Sequence, residues 1–185
     1  MIPLDSKGYT IASWVGVVLM LAAVIALAVL GNWLGLSLSL AFLVSSMAFL
    51  ILRHTVPSLF DLLFVLAALA NGAGWIWSLY GEVYGYDEVV HAYTSFAISL
   101  WFGFLVYHSM LTHFRDKGLL FGLVIATFGL AAGAAWEMFE YTLIQLKDPV
   151  EDLMVDAIGA ALAGLFAAWV LKWEPREPRV GDDNR

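Results

Sequence analysis

Six side chains that can bind a proton or a metal ion stand at helical spacing in otherwise apolar sequence. They are Asp87, His91, Glu137, Glu140, Asp152 and Asp156. They form three pairs, and the members of each pair are three or four residues apart, so they share one face of a helix. Carboxylates at membrane depth are expensive and usually mark a functional site. The pattern predicts one acidic site to which three helices contribute.

These residue types suit two kinds of chemistry. Carboxylates in a small volume repel one another, since two like charges about 4 Å apart cost about 4 kcal/mol at an effective dielectric constant of about 20. Either a cation lies among them or some of them are protonated. Oxygen ligands with one histidine favour Mg²⁺, Mn²⁺, Ca²⁺ or Zn²⁺ over soft metals. A divalent metal ion and shared protons are therefore both open interpretations of the cluster.

The composition indicates a membrane protein. We therefore expect membrane lipids to surround the helices that carry these residues. Of 185 residues, 62% are hydrophobic and 14% are charged, whereas about 25% of the residues in a soluble domain are charged. The absence of cysteine excludes disulfides, thiolate metal sites and cysteine nucleophiles. The net charge of −7, without a basic patch, argues against nucleic acid as a partner.

Six apolar segments are each long enough to cross the hydrocarbon core, which takes about 20 residues. Their predicted ranges are 11–30, 34–52, 59–80, 89–111, 119–144 and 153–173, and a short polar tail follows at 174–185. The sequence therefore predicts an all-α fold. We expect a polytopic membrane bundle of about six transmembrane helices that forms a single domain, 1–173.

The basic residues predict the orientation of this bundle in the plasma (inner) membrane. If both termini are cytoplasmic, eight basic residues lie on the inner side. These are Lys7, Arg53, Arg115, Lys117, Lys172, Arg176, Arg179 and Arg185. Only Lys147 then lies on the outer side, as the positive-inside rule favours. In this orientation the six candidate site residues all lie near the outer face.

Several of the candidates also have an interpretation without a ligand. Asp87 and Asp152 stand where they can cap the helices that follow them. His91 can be an interfacial histidine that binds nothing. Glu137 and Asp156 lie deeper, where neither a cap nor a lipid-facing position accounts for a carboxylate. These two residues carry most of the prediction of a site.

Other polar and small residues have mainly structural interpretations. Glu140 can belong to a solvated rim, and Asp61 is expected to cap the third segment. Asn71 is expected to form hydrogen bonds between helices, with the site as an alternative. Gly129 and Gly133 form a GxxxG row that permits close helix contact. The acidic face of the fifth segment is therefore also predicted to be a helix-packing face.

The candidate residues fall into three motifs. These are Tyr86-Asp87-x-x-x-His91, Trp136-Glu137-x-x-Glu140-Tyr141, and Asp148-x-x-x-Asp152 with Gly159-Ala160. Over roughly residues 60–170 they resemble the YjdF-type bacterial and archaeal inner-membrane proteins. The stretch from Asp152 to Gly159 is also similar to the closing motif of VanZ-like proteins, which usually have Asn where Asp156 stands. The resemblance implies a multi-spanning helical fold and no particular activity.

Three classes of function fit these observations. The first is a metal-dependent enzyme that acts on a lipid-linked or envelope substrate at the outer face. The second is a proton- or cation-coupled transporter, but few polar groups beyond Asn71 and Ser99 continue the path inward. The third is a non-catalytic membrane scaffold in which the cluster only holds helices together. The enzyme is favoured, and the sequence predicts no oligomeric state.

Overall fold

Seven α-helices make up the part of the chain that the structure describes. This computed structural model describes residues 3–51, 56–114, 116–139, 141–142 and 149–173. The helices are α1 (Lys7–Leu30), α2 (Trp33–Ile51), α3 (Ser58–Ile76), α4 (Leu79–Glu82), α5 (Tyr86–Phe114), α6 (Gly118–Phe139) and α7 (Pro149–Trp173). No strand occurs in these ranges. The predicted all-α fold is confirmed.

Five of the described helices, α1, α3, α5, α6 and α7, are long and apolar enough to cross a membrane. The shorter apolar stretch Trp33–Met47 lies in α2. Large apolar side chains such as Val18, Leu123 and Leu165 point outward and are more than half exposed. An outer surface of this kind is stable in lipid and not in water. The chain is therefore a helical membrane bundle.

The helices pack in two groups. α1, α2 and α3 pack on one another, α5, α6 and α7 do the same, and α3 joins the groups mainly through α5, with α4 between them. α5 and α7 begin where α6 ends, and we call this end of the bundle the site end. At the opposite end, the Ser58 backbone N–H donates to Asp5 Oδ1 at 2.8 Å, and the Ser6 N–H donates to Ser58 Oγ at 3.0 Å. These bonds hold the start of α1 beside the start of α3.

The third segment is shorter than its predicted range of 59–80, because α3 ends at Ile76. Ser78 adopts a left-handed conformation with φ 56°, and α4 then turns the chain back. The ring of Tyr80 packs against Gly74, where any Cβ would collide with it. The Tyr80 hydroxyl also donates to Asn71 Oδ1 at 3.0 Å. A glycine at position 74 thus lets the chain fold back onto α3.

Other helix boundaries differ by a few residues from the predicted ones. α7 begins at Pro149 and not at residue 153, because proline suits the first turn of a helix, where its missing N–H costs nothing. α5 extends beyond 89–111 at both ends. The end of the segment predicted at 119–144 and the tail at 174–185 lie outside the described residues.

Aromatic rings fill the bundle at the opposite end. The ring centroids of Phe60 and Phe104 are 4.5 Å apart, and those of Phe104 and Phe121 are 5.6 Å apart. Asp61 is buried beside them, and its Oδ1 accepts a hydrogen bond from Trp101 Nε1 at 2.9 Å. The expected role of Asp61 as a helix cap is wrong. Its side chain lies in the first turn of α3 and connects α3 to α5 through the hydrogen bond from Trp101.

Small residues bring α6 and α7 into close contact. A Cβ added at Gly122 would lie 2.5 Å from the Gly164 carbonyl oxygen, and one at Gly164 would collide with the Gly122 carbonyl. A Cβ at Gly129 would lie 2.7 Å from Ala160 Cβ. The predicted packing role of the glycine row on α6 is confirmed, and it fixes the distance between two of the helices that carry the site.

Candidate functional site

His91 lies at the centre of the cluster at the site end. Its Nδ1 is 3.5 Å from Glu137 Oε1 and 3.5 Å from Asp156 Oδ1. Its Nε2 is 3.5 Å from Asp87 Oδ1, one helical turn earlier on α5. The imidazole from α5 therefore faces one carboxylate of its own helix on one side. On its other side it faces a carboxylate from α6 and one from α7.

The four carboxylates around His91 differ in burial. Glu137 and Asp156 are buried, with 5% and 4% of their surface exposed. Asp87 and Asp152 are partly exposed and lie towards the mouth of the site. Ligand atoms of His91, Glu137 and Asp156 all lie within 4.8 Å of one another, and so do those of Asp87, His91 and Asp152. The cluster thus has a buried group and an outer group, and the two share the histidine.

The buried group depends on a glycine in α6. A Cβ added at Gly133 would lie 2.6 Å from Asp156 Oδ2 and 2.9 Å from Asp156 Cβ. The hydrogen at this position lets the Asp156 carboxylate lie against the α6 backbone, one turn from Glu137. Gly133 therefore has a second role in the GxxxG row, because it makes room for the Asp156 carboxylate beside the helix that carries Glu137.

A cavity of about 640 Å³ adjoins the cluster. Its polar lining near the site end includes Asn71, Asp87, His91, Thr94, Tyr80, Asp152 and Asp156. Its apolar lining includes Leu38 and Phe42 of α2, Ile98 of α5 and Ala132 of α6. A volume of this size accommodates a molecule of the size of a small-molecule ligand.

A hydrogen-bonded row from α3 supports the polar wall. Asn71 Nδ2 donates to Thr94 Oγ1 at 2.9 Å and to the Ala67 carbonyl at 2.9 Å, while Asn71 Oδ1 accepts from Tyr80. The prediction that Asn71 forms hydrogen bonds between helices is confirmed. Thr94 lies one turn after His91 on α5, so the row connects the fold-back of α4 to the helix that carries the histidine.

Several residues that line the cavity are not among the six predicted site residues. These include Asn32, Trp75, Tyr80 and Trp136, of which only Trp136 belongs to one of the three sequence motifs. Asn32 was detectable, because an Asn before an apolar run is a typical helix cap; its Oδ1 accepts from the Gly35 N–H at 3.0 Å. Tyr80 reaches the cavity only because α3 ends early, which a hydropathy pattern does not show.

The structure brings together five of the six predicted site residues, namely Asp87, His91, Glu137, Asp152 and Asp156. The sixth, Glu140, lies outside the described residues. Asp152 is inside the first turn of α7, and Asp156 lies one turn deeper. Asp156, which lies further from the start of α7, is therefore also the more buried of the two acids.

The distances in the buried group suit two ligands of one ion better than a direct hydrogen bond. An N–H···O bond usually spans 2.7–3.2 Å between heavy atoms, and the two contacts of Nδ1 with Glu137 and Asp156 are 3.5 Å. Two ligand atoms bound at about 2.0–2.2 Å to the same ion are about 3.0–3.6 Å apart. The distance from Nδ1 to each of these two carboxylate oxygens is therefore one that a small divalent ion fits.

The charge of the cluster also suits a cation. Four carboxylates surround a single imidazole, so a protonated His91 balances one of four negative charges when all four acids are ionised. Among the described residues that line the cavity there is no Lys or Arg. The missing positive charge must therefore come from a bound cation or from protons on the carboxyls. This acidic and histidine cluster is one that can bind a metal ion.

Comparison of the chain with protein-family models, with curated proteins and with solved structures gives no match. Function must therefore be inferred from the geometry of the site.

Proposed function

We propose that this protein is a divalent-metal-dependent membrane enzyme that acts on a lipid-linked or envelope substrate. The observation that carries the proposal is the position of His91 Nδ1, which is 3.5 Å from both Glu137 and Asp156 beside a cavity of about 640 Å³. A buried acid pair is expensive unless a cation balances it. A cavity beside that pair gives a substrate access to the ion.

In this proposal His91, Glu137 and Asp156 hold the ion, and Asp87 orients the histidine. A histidine that binds a metal through one ring nitrogen usually donates its other N–H to a carboxylate or carbonyl, which fixes the tautomer. Asp87 Oδ1 faces Nε2 and is suited to this role. Asp152 lies at the mouth, where it can accept a proton from water or substrate. Mg²⁺, Mn²⁺, Ca²⁺ and Zn²⁺ all accept such ligands.

A bound divalent ion would supply two kinds of chemistry, activation of water and neutralisation of a phosphate oxygen. Both suit hydrolysis or transfer at a phosphate ester.

We also propose that the site end lies at the outer face of the plasma membrane, on the basis of the basic residues at the opposite end. The resemblance to YjdF-type proteins remains a prediction.

Turnover of lipid-linked phosphates tests the enzyme proposal. Purified protein in detergent would be incubated with a lipid-linked phosphate and Mn²⁺, and the release of water-soluble phosphate would be measured. We expect release that chelation with EDTA abolishes and that is lost in Glu137→Gln. Release that persists in EDTA, or in the variant, would contradict the proposal. Asp61→Asn, which changes a buried acid that does not line the cavity, is the matched control.

A proton- or cation-coupled transporter is the alternative function. Below the cavity, Leu100, Trp101 and Ile125 are all buried in the described bundle, and this closed core argues against a continuous polar path. An ion-flux assay in proteoliposomes separates the two functions. A transporter gives coupled flux that Glu137→Gln abolishes, whereas the enzyme gives none.

A non-catalytic scaffold is the third candidate, and thermal stability distinguishes it. If the cluster only holds helices together, Glu137→Gln lowers the melting temperature. If the acids are gathered for binding, the ion-free protein loses repulsion on substitution and its melting temperature rises, because functional sites often reduce stability. The measurement is made in EDTA, so that a bound ion does not mask the repulsion.

A further inference from the structure

The cavity lies between the two helix groups of the bundle. One wall includes Leu38 and Phe42 of α2, which packs on α1 and α3. The other wall includes Ala132 and Trp136 of α6, which packs on α5 and α7. All four side chains are half-buried. On the same helices, Leu40 and Leu130 are exposed, at 46% and 43%, on the surface that faces lipid.

The lining changes from polar to apolar with depth. Asp87 and His91 lie in the first two turns of α5, whereas Ile98 is seven residues beyond His91, or about 10 Å along the helix axis. Phe42 is nine residues into α2, or about 14 Å from its start at the site end. The bilayer has the same order of polarity, with headgroups at the surface and chains below. The cavity therefore matches a molecule that keeps its orientation in the membrane.

The charge of the lining restricts the headgroup. The acids that line the cavity are Glu82, Asp87, Asp152 and Asp156, and none of its described lining residues is Lys or Arg. These side chains repel an anionic headgroup unless a cation lies between them. A divalent ion bound by carboxylates also readily takes phosphate oxygens as ligands. A bound divalent ion would therefore supply the positive charge that lets this acidic cavity bind a phosphate.

We propose that the substrate is a phosphate-bearing membrane lipid that enters sideways between α2 and α6. Its phosphate binds the ion beside His91, and its acyl chain lies against Leu38, Phe42 and Ala132. This inference depends on the proposed function, because the ion is what holds the phosphate. It adds the route of entry, the class of substrate and the residues that select for a chain.

Photochemical labelling tests the route. The full-length protein would be placed in nanodiscs of a phosphate-free galactolipid that contain a phosphatidylglycerol with a diazirine in its acyl chain, with Mn²⁺ present. After irradiation, the labelled peptides are mapped by mass spectrometry. We expect adducts on the groove-facing positions of α2 and α6 that excess unlabelled phosphatidylglycerol displaces. Labelling that is not displaced, or that is confined to the lipid-facing rows of Leu40 and Leu130, would overturn the inference.

Matched tryptophan variants sharpen the test. Ala132→Trp fills the groove, whereas Ala131→Trp adds the same side chain on the exposed neighbouring position. We expect displaceable labelling to fall about tenfold in the first variant and to stay unchanged in the second. Leu38→Trp and Leu40→Trp form the same pair on α2. Equal labelling within both pairs, with unchanged melting temperatures, would overturn the inference.

Two further measurements distinguish a failure of the proposed lipid route from a failure of the proposed metal-dependent function. Binding of Mn²⁺, followed by electron paramagnetic resonance, should be the same in all four tryptophan variants. If the wild-type protein binds Mn²⁺ but labelling is not specific, the lipid route is wrong and the metal site is retained. If the wild-type protein binds no Mn²⁺, both proposals are wrong.

Glycerol 3-phosphate, which has no acyl chain, should displace the label about a hundredfold less effectively than phosphatidylglycerol. Equal displacement would show that the chain is not recognised.

Discussion

Buried carboxylates occur at both ends of this bundle, and the two ends treat them differently. At the opposite end, Asp61 lies among packed aromatic rings, and its Oδ1 accepts a hydrogen bond from the Trp101 indole at 2.9 Å. At the site end, Glu137 and Asp156 lie together beside His91 and a large cavity. α3 and α5 contribute to both ends, so the difference comes from the side chains.

The difference shows what each end is suited to do. A buried carboxylate that accepts a hydrogen bond from a neutral donor can be accommodated by packing. The hydrogen bond offsets part of the free-energy cost of burial, and no ion or ligand has to bind. Two buried carboxylates that face one imidazole nitrogen, with two more acids at the mouth, leave a charge that only a cation or protons can balance. The opposite end is therefore structural, and the site end is suited to binding.

The largest expected effect separates the two buried acids by metal affinity. Asp156→Asn removes a ligand of the ion, so its dissociation constant for Mn²⁺ should rise about a hundredfold or more, given that even outer-shell changes cost 10–100-fold. Asp61→Asn should leave that constant unchanged. Both constants are measured by titration with Mn²⁺ in detergent. Equal losses in the two variants would abolish the distinction between the ends.

The second prediction concerns the stability of the opposite end. Trp101→Phe removes the indole N–H that donates to Asp61. Leaving a buried acceptor with one donor fewer should lower the free energy of unfolding by about 1–3 kcal/mol. The melting temperature in detergent should fall, while Mn²⁺ affinity stays the same. A loss of Mn²⁺ affinity without a change in stability would mean that Asp61 belongs to the site.

The third prediction tests the glycine that makes room for Asp156. Gly133→Ala puts a methyl group 2.6 Å from the present position of Asp156 Oδ2, so the carboxylate must move. Affinity for Mn²⁺ should fall about tenfold, an effect of the size seen when the support of a ligand is altered. Gly81→Ala is the control, because a Cβ there meets nothing within 4 Å. If Gly133→Ala has no effect on affinity, Asp156 does not need its present position.

The smallest expected effect is at the edge of the polar wall. Tyr80→Phe removes the hydroxyl that donates to Asn71 Oδ1 at 3.0 Å. The loss of one partly buried hydrogen bond should cost about 0.5–1.5 kcal/mol of stability. We expect a small fall in melting temperature and unchanged Mn²⁺ binding. A large fall in Mn²⁺ affinity would show that the fold-back of α4 holds the site in place.

The fold was largely predictable because lipid is the solvent. Apolar runs of about 20 residues have few alternatives in a membrane, so the helices could be located from the sequence. The end of α3 at Ile76 could not be located in this way, since a hydropathy pattern does not record that the Tyr80 ring packs on Gly74. That contact depends on a shape that forms only after the chain has turned back.

The candidate site was predictable for a different reason. Spacing within a helix places Asp87 and His91 on one face, and the depth of Glu137 and Asp156 marks them as costly without partners. The sequence could not show that Gly133 sets the position of Asp156, or that Asp61 binds an indole on α5. Both depend on which helix lies next to which, and on how closely they approach.

Elemental analysis of the purified protein shows whether the His91, Glu137 and Asp156 cluster holds a metal ion. Wild-type protein, Glu137→Gln and Asp61→Asn would each be purified in detergent, supplied with divalent metals, desalted and analysed. We expect about one divalent ion per chain in the wild type and in Asp61→Asn, and almost none in Glu137→Gln. No ion in the wild type, or an equal content in all three proteins, would contradict it.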